Sequence, residues 1–152
     1  MTVVVAKDIS KVYGATKALD HVNLEARNAE FVTLLGPSGC GKSTTLRVLA
    51  GLIKADEGKV YFDNRDVTDL PPNRRNIGFV FQRVALFPHM NVRRNIAFGL
   101  KARHVSEAEI KKKIKEVLAI VHMEGFENRA PSQLSGGQAQ RIEIARVLAT
   151  DP

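Results

Sequence analysis

The stretch Gly36-Pro-Ser-Gly-Cys-Gly-Lys-Ser43 has the residue types and spacing that can hold phosphate groups. It follows a short apolar segment and precedes a segment of helical periodicity, which is the context this glycine-rich pattern requires. Glycines let successive backbone N–H groups point at one anion, and the following helix directs its positive dipole end at the same place. The predicted phosphate-binding residues are Gly36, Pro37, Ser38, Gly39, Cys40, Gly41, Lys42, Ser43 and Thr44.

Two side chains of this loop have separate expected roles. We expect the Lys42 ammonium group to reach the β- and γ-phosphates of ATP, and the Ser43 hydroxyl to bind Mg²⁺, a hard ion that prefers oxygen ligands. Cys40 lies inside the loop, so we expect bound Mg-ATP to protect its thiol from alkylation. The loop alone does not distinguish kinases, GTPases, helicases and transport ATPases.

The stretch Leu134-Ser-Gly-Gly-Gln138 narrows that choice. Ser135 and Gln138 have the spacing of a capping box, which predicts the start of a helix. Gly136 and Gly137 would leave the helix N-terminus uncovered, so its N–H groups can approach an anion closely. The pattern therefore predicts that Ser135, Gly136, Gly137 and Gln138 form a helix N-terminus that an anion can approach.

The elements that must position these motifs change in character along the chain. Alternating or continuous apolar runs predict antiparallel strands at 3–12 and 19–27, a fully buried strand at 31–35, and further strands at 58–63 and 76–82. Helical periodicity and capping residues predict helices at 42–52, 91–103, from Ser106 onward, and at about 137–149. This order predicts an α/β core with a helical subdomain inserted after about residue 82.

The bulk composition excludes several classes of protein. The chain has 152 residues, one cysteine and a formal net charge of +7. No apolar run is long enough to span a bilayer, and no secretion signal is visible near the N-terminus. The basic residues form no dense patch interleaved with aromatic residues, so we do not expect nucleic acid as a partner.

Together the motifs resemble the ATP-binding cassette (ABC) family. The matching segments are GPSGCGKST at 36–44, VFQ at 80–82 and LSGGQAQRIEIARVL at 134–148, in the family's order. The resemblance covers essentially the whole chain and is greatest to the subgroup that energises importers of sugars, polyamines, iron or glycerol phosphate. It implies a P-loop NTPase fold, with a nucleotide-binding core at 1–82 and a helical subdomain at about 83–149.

The resemblance also implies roles for individual residues. Tyr13 lies where an aromatic ring stacks on adenine, and Gln82 matches a glutamine that contacts Mg²⁺ and the attacking water. The 135–138 segment matches the signature that meets the γ-phosphate held by a second ATP-binding subunit in a head-to-tail dimer. Residues 83–100 resemble the groove that receives the transmembrane permease, which implies a peripheral location at the cytoplasmic face of the cell membrane.

The same resemblance implies that the Mg²⁺-binding aspartate, the catalytic carboxylate and a later histidine lie beyond residue 152. We therefore expect the 152-residue chain alone to have negligible ATPase activity. We also expect its central sheet to stop before the later core strands. Two alternatives to a transporter subunit are a soluble ABC ATPase of translation or DNA repair, and a regulatory module that binds nucleotide without hydrolysis.

Overall fold

The computed structural model describes residues 2–152. It consists of two compact units, and the boundary between them falls between Ile77 and Gly78. No helix within residues 2–152 combines the length and the apolar character that crossing a membrane requires.

The first unit contains a four-stranded antiparallel sheet in the order β2-β1-β3-β4. Its strands are β1 (Val4–Tyr13), β2 (Thr16–Ala26), β3 (Glu57–Phe62) and β4 (Arg65–Asp66). The predicted strands at 3–12, 19–27 and 58–63 are confirmed, because alternation gives each strand one face suited to burial. Asp63 and Asn64 connect β3 to β4 with φ of 49° and 65°, as a two-residue hairpin turn requires.

Helix α1 (Lys42–Leu49) packs on this sheet. Val48 is its buried apolar contact, and the helix ends earlier than the predicted residue 52 because Gly51 adopts a left-handed φ of 71°. The sheet and the helix share one apolar core, made of Ala6, Ile9, Leu19, Val48, Val60 and Val67.

Arg75 fixes the C-terminal end of α1. Its guanidinium group donates to the carbonyl oxygens of Val48 at 3.0 Å and Leu49 at 2.8 Å, and to those of Leu70 at 2.8 Å and Thr68 at 2.9 Å. The residue is 6% exposed. The last carbonyls of a helix have no partner within the helix, so Arg75 satisfies them and joins α1 to the segment that follows β4.

The second unit is helical, with α2 (Val92–Ala102), α3 (Glu107–Ile120) and α4 (Gly136–Leu148). The predicted capping box of Ser106 and Glu109 is present at the start of α3. The three helices bury a common core that includes Val92, Ile96, Leu100, Ile110, Ile114, Val117, Leu118, Ile142 and Ala145. The periodic apolar positions of the sequence therefore identified the inward faces of the helices.

Two strand predictions are wrong. Residues 31–35 and 76–82 form no strand, and Phe31 and Leu35 are 93% and 87% exposed. A strand that is buried on both faces needs neighbouring strands and covering helices. Within residues 2–152 the strands pair with one another in the antiparallel sheet, and neither of these two apolar segments is part of it.

Candidate functional site

The phosphate loop curls around the amino group of Lys42. The Lys42 Nζ donates to the carbonyl oxygens of Gly36 and Pro37, both at 2.7 Å, and lies 3.4 Å from the Cys40 Sγ. The Cys40 N–H donates to the Pro37 carbonyl at 3.4 Å, which leaves Ser38 and Gly39 at the exposed tip of a turn. The loop therefore keeps its cation at its centre, where a phosphate group would be bound.

Two glycines of the loop have no room for a side chain. A Cβ atom on Gly36 would lie 2.7 Å from the Cys40 Sγ, and one on Gly41 would lie 2.6 Å from the Ala18 carbonyl oxygen of β2. Gly41 also has a φ of 92°, which favours glycine. Gly41 is therefore required by its backbone conformation and by its closeness to β2, whereas a side chain at Gly36 would have to displace the Cys40 thiol.

The N-terminus of α1 is open toward the same loop. Its N-cap residue, Gly41, provides no side-chain cap, and the Thr45 hydroxyl turns away to donate to the Gly41 carbonyl at 3.1 Å. Ser43 lies exposed in the first turn, and Thr44 beside it is half-buried. Free N–H groups, a nearby ammonium group and an exposed hydroxyl fit the phosphates of ATP and an accompanying Mg²⁺ ion.

Tyr13 lies near this loop through the register of the first hairpin. It ends β1 opposite Thr16, and Ala18, two residues further along β2, is the residue that Gly41 contacts. Its ring is half exposed, and the Lys11 Nζ lies 5.6 Å from the ring centroid. An exposed aromatic face beside the phosphate loop is suited to stacking on a base.

Asp56 holds the strand end that carries Tyr13. Its carboxylate accepts from the Lys11 Nζ at 2.7 Å and from the Val12 N–H at 2.7 Å. The hydrogen bond from Lys11, followed by that from the Val12 N–H, lowers the pKa of Asp56 below its ordinary value. No local pattern predicts this contact, because Asp56 follows α1 and meets β1 only in the folded unit.

A cavity of about 560 Å³ lies beside the loop and is bordered by β2, residues 33–35, Cys40, Lys42 and Thr45. Lys17 and Asp20 form an ion pair at its rim, and the hydrogen bond from Lys17 lowers the pKa of Asp20. The volume falls within the range of small-molecule sites.

The second motif forms the open end of α4. The Ser135 hydroxyl accepts from the Gln138 N–H at 3.3 Å, and the Gln138 Oε1 accepts from the Ser135 N–H at 2.9 Å. This confirms the predicted capping box. Cβ atoms placed on Gly136 or Gly137 would meet nothing within 4 Å. The two glycines thus present an uncovered helix N-terminus, the surface that an incoming anion needs.

Gln82 lies in the same unit as this motif, on an exposed segment without regular structure. Further along, Asn95 on α2 is fully buried and fixes the chain between residues 87 and 91. Its side chain accepts from the Phe87 N–H at 2.8 Å and donates to the Met90 carbonyl at 2.9 Å. Sequence reasoning missed Asn95; its only signal was an amide among the apolar positions of α2.

An apolar surface accompanies this segment. The Phe87 and Phe98 rings lie 4.6 Å apart between centroids, and Phe98 is half exposed. Other exposed large apolar side chains of the second unit are Val80, Phe81 and Val84, which precede Phe87 in the chain, and Ile120 and Ile144 on α3 and α4. Apolar groups exposed together are typical of a protein–protein contact.

The loop and Tyr13 therefore lie together in the first unit, while Gln82 and the 135–138 segment lie in the second. A comparison with protein families gives the class of the chain. Residues 19–152 match the family model described as ABC transporter. The chain therefore belongs to this family.

Two curated relatives are ATP-binding proteins of importers. The chain is 53% identical over 146 residues to the spermidine/putrescine import ATP-binding protein PotA of Clostridioides difficile (strain 630), covering 96% of this chain and 42% of that protein. It is 49% identical over 149 residues to the sulfate/thiosulfate import ATP-binding protein CysA of Nephroselmis olivacea, covering 98% and 43%. The chain thus spans less than half the length of these relatives.

Solved structures agree on the fold. A dimeric bacterial ABC transporter cassette superposes with a TM-score of 0.88 at 40% identity, covering 98% of this chain and 70% of that one. The same values hold for a dimeric, post-hydrolysis cassette bound to ADP and Pi. A nucleotide-free ATP-binding cassette gives a TM-score of 0.84 at 31% identity, covering 100% and 66%. The chain therefore has the ABC cassette fold, with an antiparallel N-terminal sheet.

Proposed function

We propose that this chain is the ATP-binding, energy-coupling part of an ABC importer of small solutes. The observation that carries the proposal is the pairing, in one chain, of a phosphate loop centred on the Lys42 ammonium group with an uncovered helix N-terminus at Gly136 and Gly137. The relatives' names specify polyamines and sulfate or thiosulfate. They do not single out a sugar, so we propose import of a small solute and leave sugars among the candidates.

In this proposal the first unit binds ATP. The ring of Tyr13 stacks on adenine, while the loop from Gly36 to Gly41 and the start of α1 surround the phosphates. Lys42 leaves the loop carbonyls to pair with the β- and γ-phosphates, and Thr44 adds a phosphate contact. We propose the side-chain oxygens of Ser43 and of Gln82 as ligands of Mg²⁺, which would neutralise phosphate charge when bound.

The second unit completes a site on another copy. A dimeric cassette among the similar solved structures supports a dimer. We propose that the dimer is head-to-tail and that Ser135, Gly136, Gly137 and Gln138 meet the γ-phosphate held by a second ATP-binding subunit. We retain the division into a nucleotide-binding core at 1–82 and a helical subdomain at about 83–149 as part of this proposal.

The same unit carries the proposed contact with the membrane partner. Residues 83–100 include the exposed Val84 and Phe98 and the ring of Phe87. We infer that this surface receives a segment of the transmembrane permease, which places the protein peripherally at the cytoplasmic face of the membrane. We propose no nucleic-acid partner.

The chemistry proposed for the whole protein is ATP hydrolysis. A general base typically contributes a factor of about 10² to 10⁴ to the rate, and we assign none among residues 1–152. We therefore propose that a polypeptide of only these residues binds ATP but hydrolyses it at a negligible rate.

The test is equilibrium binding of a fluorescent ATP analogue to the full-length protein. Removing a charged hydrogen-bond donor costs about 1.5–3 kcal/mol, so we expect Lys42→Ala to weaken binding by about tenfold to a hundredfold. Lys59→Ala, which removes an exposed lysine of β3, is the matched control. Equal affinities for the wild type and Lys42→Ala would refute the proposed site.

A second measurement tests the role of the α4 N-terminus. Gly136→Glu places a carboxylate at the surface that is proposed to meet a phosphate. We expect this variant to bind ATP as the wild type does but to lose ATP-dependent dimerisation, measured by analytical ultracentrifugation. Normal dimerisation would assign the motif a purely local role in starting α4.

A further inference from the structure

Helix α4 carries a buried carboxylate that neither sequence motif explains. Glu143 is 0% exposed. Its Oε1 accepts a hydrogen bond from the backbone N–H of Phe81 at 3.4 Å, and its Oε2 has no hydrogen-bond partner within residues 2–152. Burying a charged carboxylate is unfavourable unless it is paired, so this position calls for an explanation beyond packing.

Arg146, one turn further along α4, is the nearest cation. Its NH2 lies 3.7 Å from the Glu143 Oε1, its NH1 donates to the Ala85 carbonyl at 2.7 Å, and its guanidinium carbon lies 5.3 Å from the centroid of the Phe87 ring. Burial lowers the pKa of Arg146, and the charge of Glu143 opposes that change. The pair therefore presents one acceptor and one donor to the backbone of the segment at 81–85.

That segment has few other fixed points. It has no regular secondary structure, and Phe81 and Val84 are exposed. An apolar side chain at position 143 would fill the same space but would leave the Phe81 N–H without an acceptor. The carboxylate therefore fixes a backbone atom in a segment that apolar burial does not hold.

Gln82 directly follows Phe81. We propose that Glu143 is a positioning residue, which together with Arg146 holds the segment carrying Gln82 at a fixed distance from the helix that begins with the 135–138 motif. This inference rests on the proposed function, in which Gln82 contacts Mg²⁺ and the attacking water. Displacement of α4 would then also move Gln82. In the proposed dimer, Gln82 contacts the ATP of its own subunit and the 135–138 motif contacts the ATP of the other subunit, so the two contacts would change together.

The experiment compares three variants of the full-length protein. Glu143→Met fills the volume without a strong acceptor, Glu143→Gln keeps an oxygen for the Phe81 N–H, and Glu116→Ala removes an exposed glutamate of α3 as the control. For each we measure kcat, KM and the ATP dissociation constant. We also measure the hydrogen exchange of the Phe81 amide by NMR.

Small displacements of a positioned group can cost up to about a hundredfold in rate. We expect Glu143→Met to lower kcat by about tenfold or more, to leave the ATP dissociation constant within about twofold, and to speed exchange at Phe81. Glu143→Gln should keep kcat and the slow exchange of the Phe81 amide close to the wild-type values. Glu116→Ala should match the wild type in both measurements.

Three results would overturn the inference: a kcat of Glu143→Met within about twofold of the wild type, unchanged exchange at Phe81, or an equal loss of activity in Glu143→Gln. If Glu143→Met does not fold, Glu143→Ala provides the same comparison with less volume. Should the wild-type protein hydrolyse no ATP, the proposed function fails, but the exchange at Phe81 still decides whether Glu143 holds the segment.

Discussion

Cys40 places a thiol within the phosphate loop itself. The residue is exposed, and its Sγ lies 3.4 Å from the Lys42 ammonium group. Bound phosphates would occupy the mouth of the loop, so the thiol should become inaccessible when the site is filled. The side chain is therefore a chemical reporter of occupancy.

We expect Mg-ATP at about ten times its dissociation constant to slow alkylation of Cys40 by about tenfold, because only the empty fraction of the protein reacts. The rate is followed by mass spectrometry with N-ethylmaleimide. In Lys42→Ala, the same nucleotide concentration should give little protection. Identical rates with and without Mg-ATP would show that the loop does not enclose the nucleotide.

Asp66 makes the stability of the first unit depend on pH in the acid range. Hydrogen bonds from the Thr68 hydroxyl and the Thr68 N–H, and then one from Lys59, lower its pKa to about 2. Because the folded pKa lies below the unfolded value of about 4, the charged form stabilises the folded state above about pH 4. This contribution is lost as the pH falls toward 2.

We therefore expect the difference in free energy of unfolding between the wild type and Asp66→Asn to be constant from pH 7 to 5 and to shrink as the pH falls from about 4 to 2. Urea titrations at several pH values measure it. A difference that does not change over this range would mean that the charge of Asp66 is not what stabilises the turn after β4.

At the scale of elements, α1 depends on a side chain from outside the helix. Arg75 donates to carbonyl oxygens of Val48 and Leu49 at the helix end and of Thr68 and Leu70 beyond β4. Gly51 contributes by leaving room: a Cβ atom there would lie 2.5 Å from the Arg75 Nε. Any residue larger than glycine would displace the guanidinium group.

Replacing Arg75 by methionine should lower the free energy of unfolding by at least about 2 kcal/mol, because buried carbonyl groups lose their donors. The free energy of unfolding of Arg75→Lys should lie between those of the wild type and Arg75→Met, because lysine has fewer donors in a different geometry. Arg74→Met, at the neighbouring exposed position, is the control. Denaturant unfolding monitored by circular dichroism measures all three, and a loss equal to that of the control would exclude this role.

The elements differ in how far their sequences predict them. The first hairpin and the helices α3 and α4 follow from alternation, periodicity and caps that lie within a few residues of each other, such as Ser106 with Glu109. Residues 31–35 and 76–82 have equally apolar sequences, yet they form no strand. Strand formation depends on neighbours from other parts of a sheet, and local sequence does not specify them.

The features of the candidate site also differ in how far local sequence predicts them. The glycine loop and the cap of α4 are local patterns, so the sequence predicts them in detail. Asp56 and Glu143 act on residues far away in the chain, with separations of 44 and 62 positions for the hydrogen bonds to Val12 and Phe81. Asn95 acts across 8 positions on Phe87, outside its own helix. The sequence offers two weak signals for them: the amide of Asn95 among apolar positions of α2, and Glu143 and Arg146 as an oppositely charged pair one turn apart.

At the scale of the whole molecule, the described chain leaves apolar side chains uncovered. Phe31 and Leu35 are among the most exposed residues, directly before the phosphate loop. We expect a polypeptide of residues 1–152 to bind the dye ANS and to self-associate. The double variant Phe31→Ser, Leu35→Ser should reduce both, whereas Lys7→Ser on the exposed face of β1 should not. Dye fluorescence measures ANS binding, and light scattering measures self-association. Unchanged signals in the double variant would show that Phe31 and Leu35 are not the apolar surface responsible.

The position of the Lys42 amine has a thermodynamic consequence for ligand choice. Its protons have acceptors within the loop itself, the carbonyl oxygens of Gly36 and Pro37. Any anion that enters must therefore compete with the protein's own backbone, and its measured affinity is a difference between two sets of hydrogen bonds. A ligand with a single phosphate would exchange those bonds for a similar number, whereas a chain of phosphates would offer additional acceptors to the loop. We therefore expect the backbone bonds of Lys42 to disfavour small anions relative to a polyphosphate.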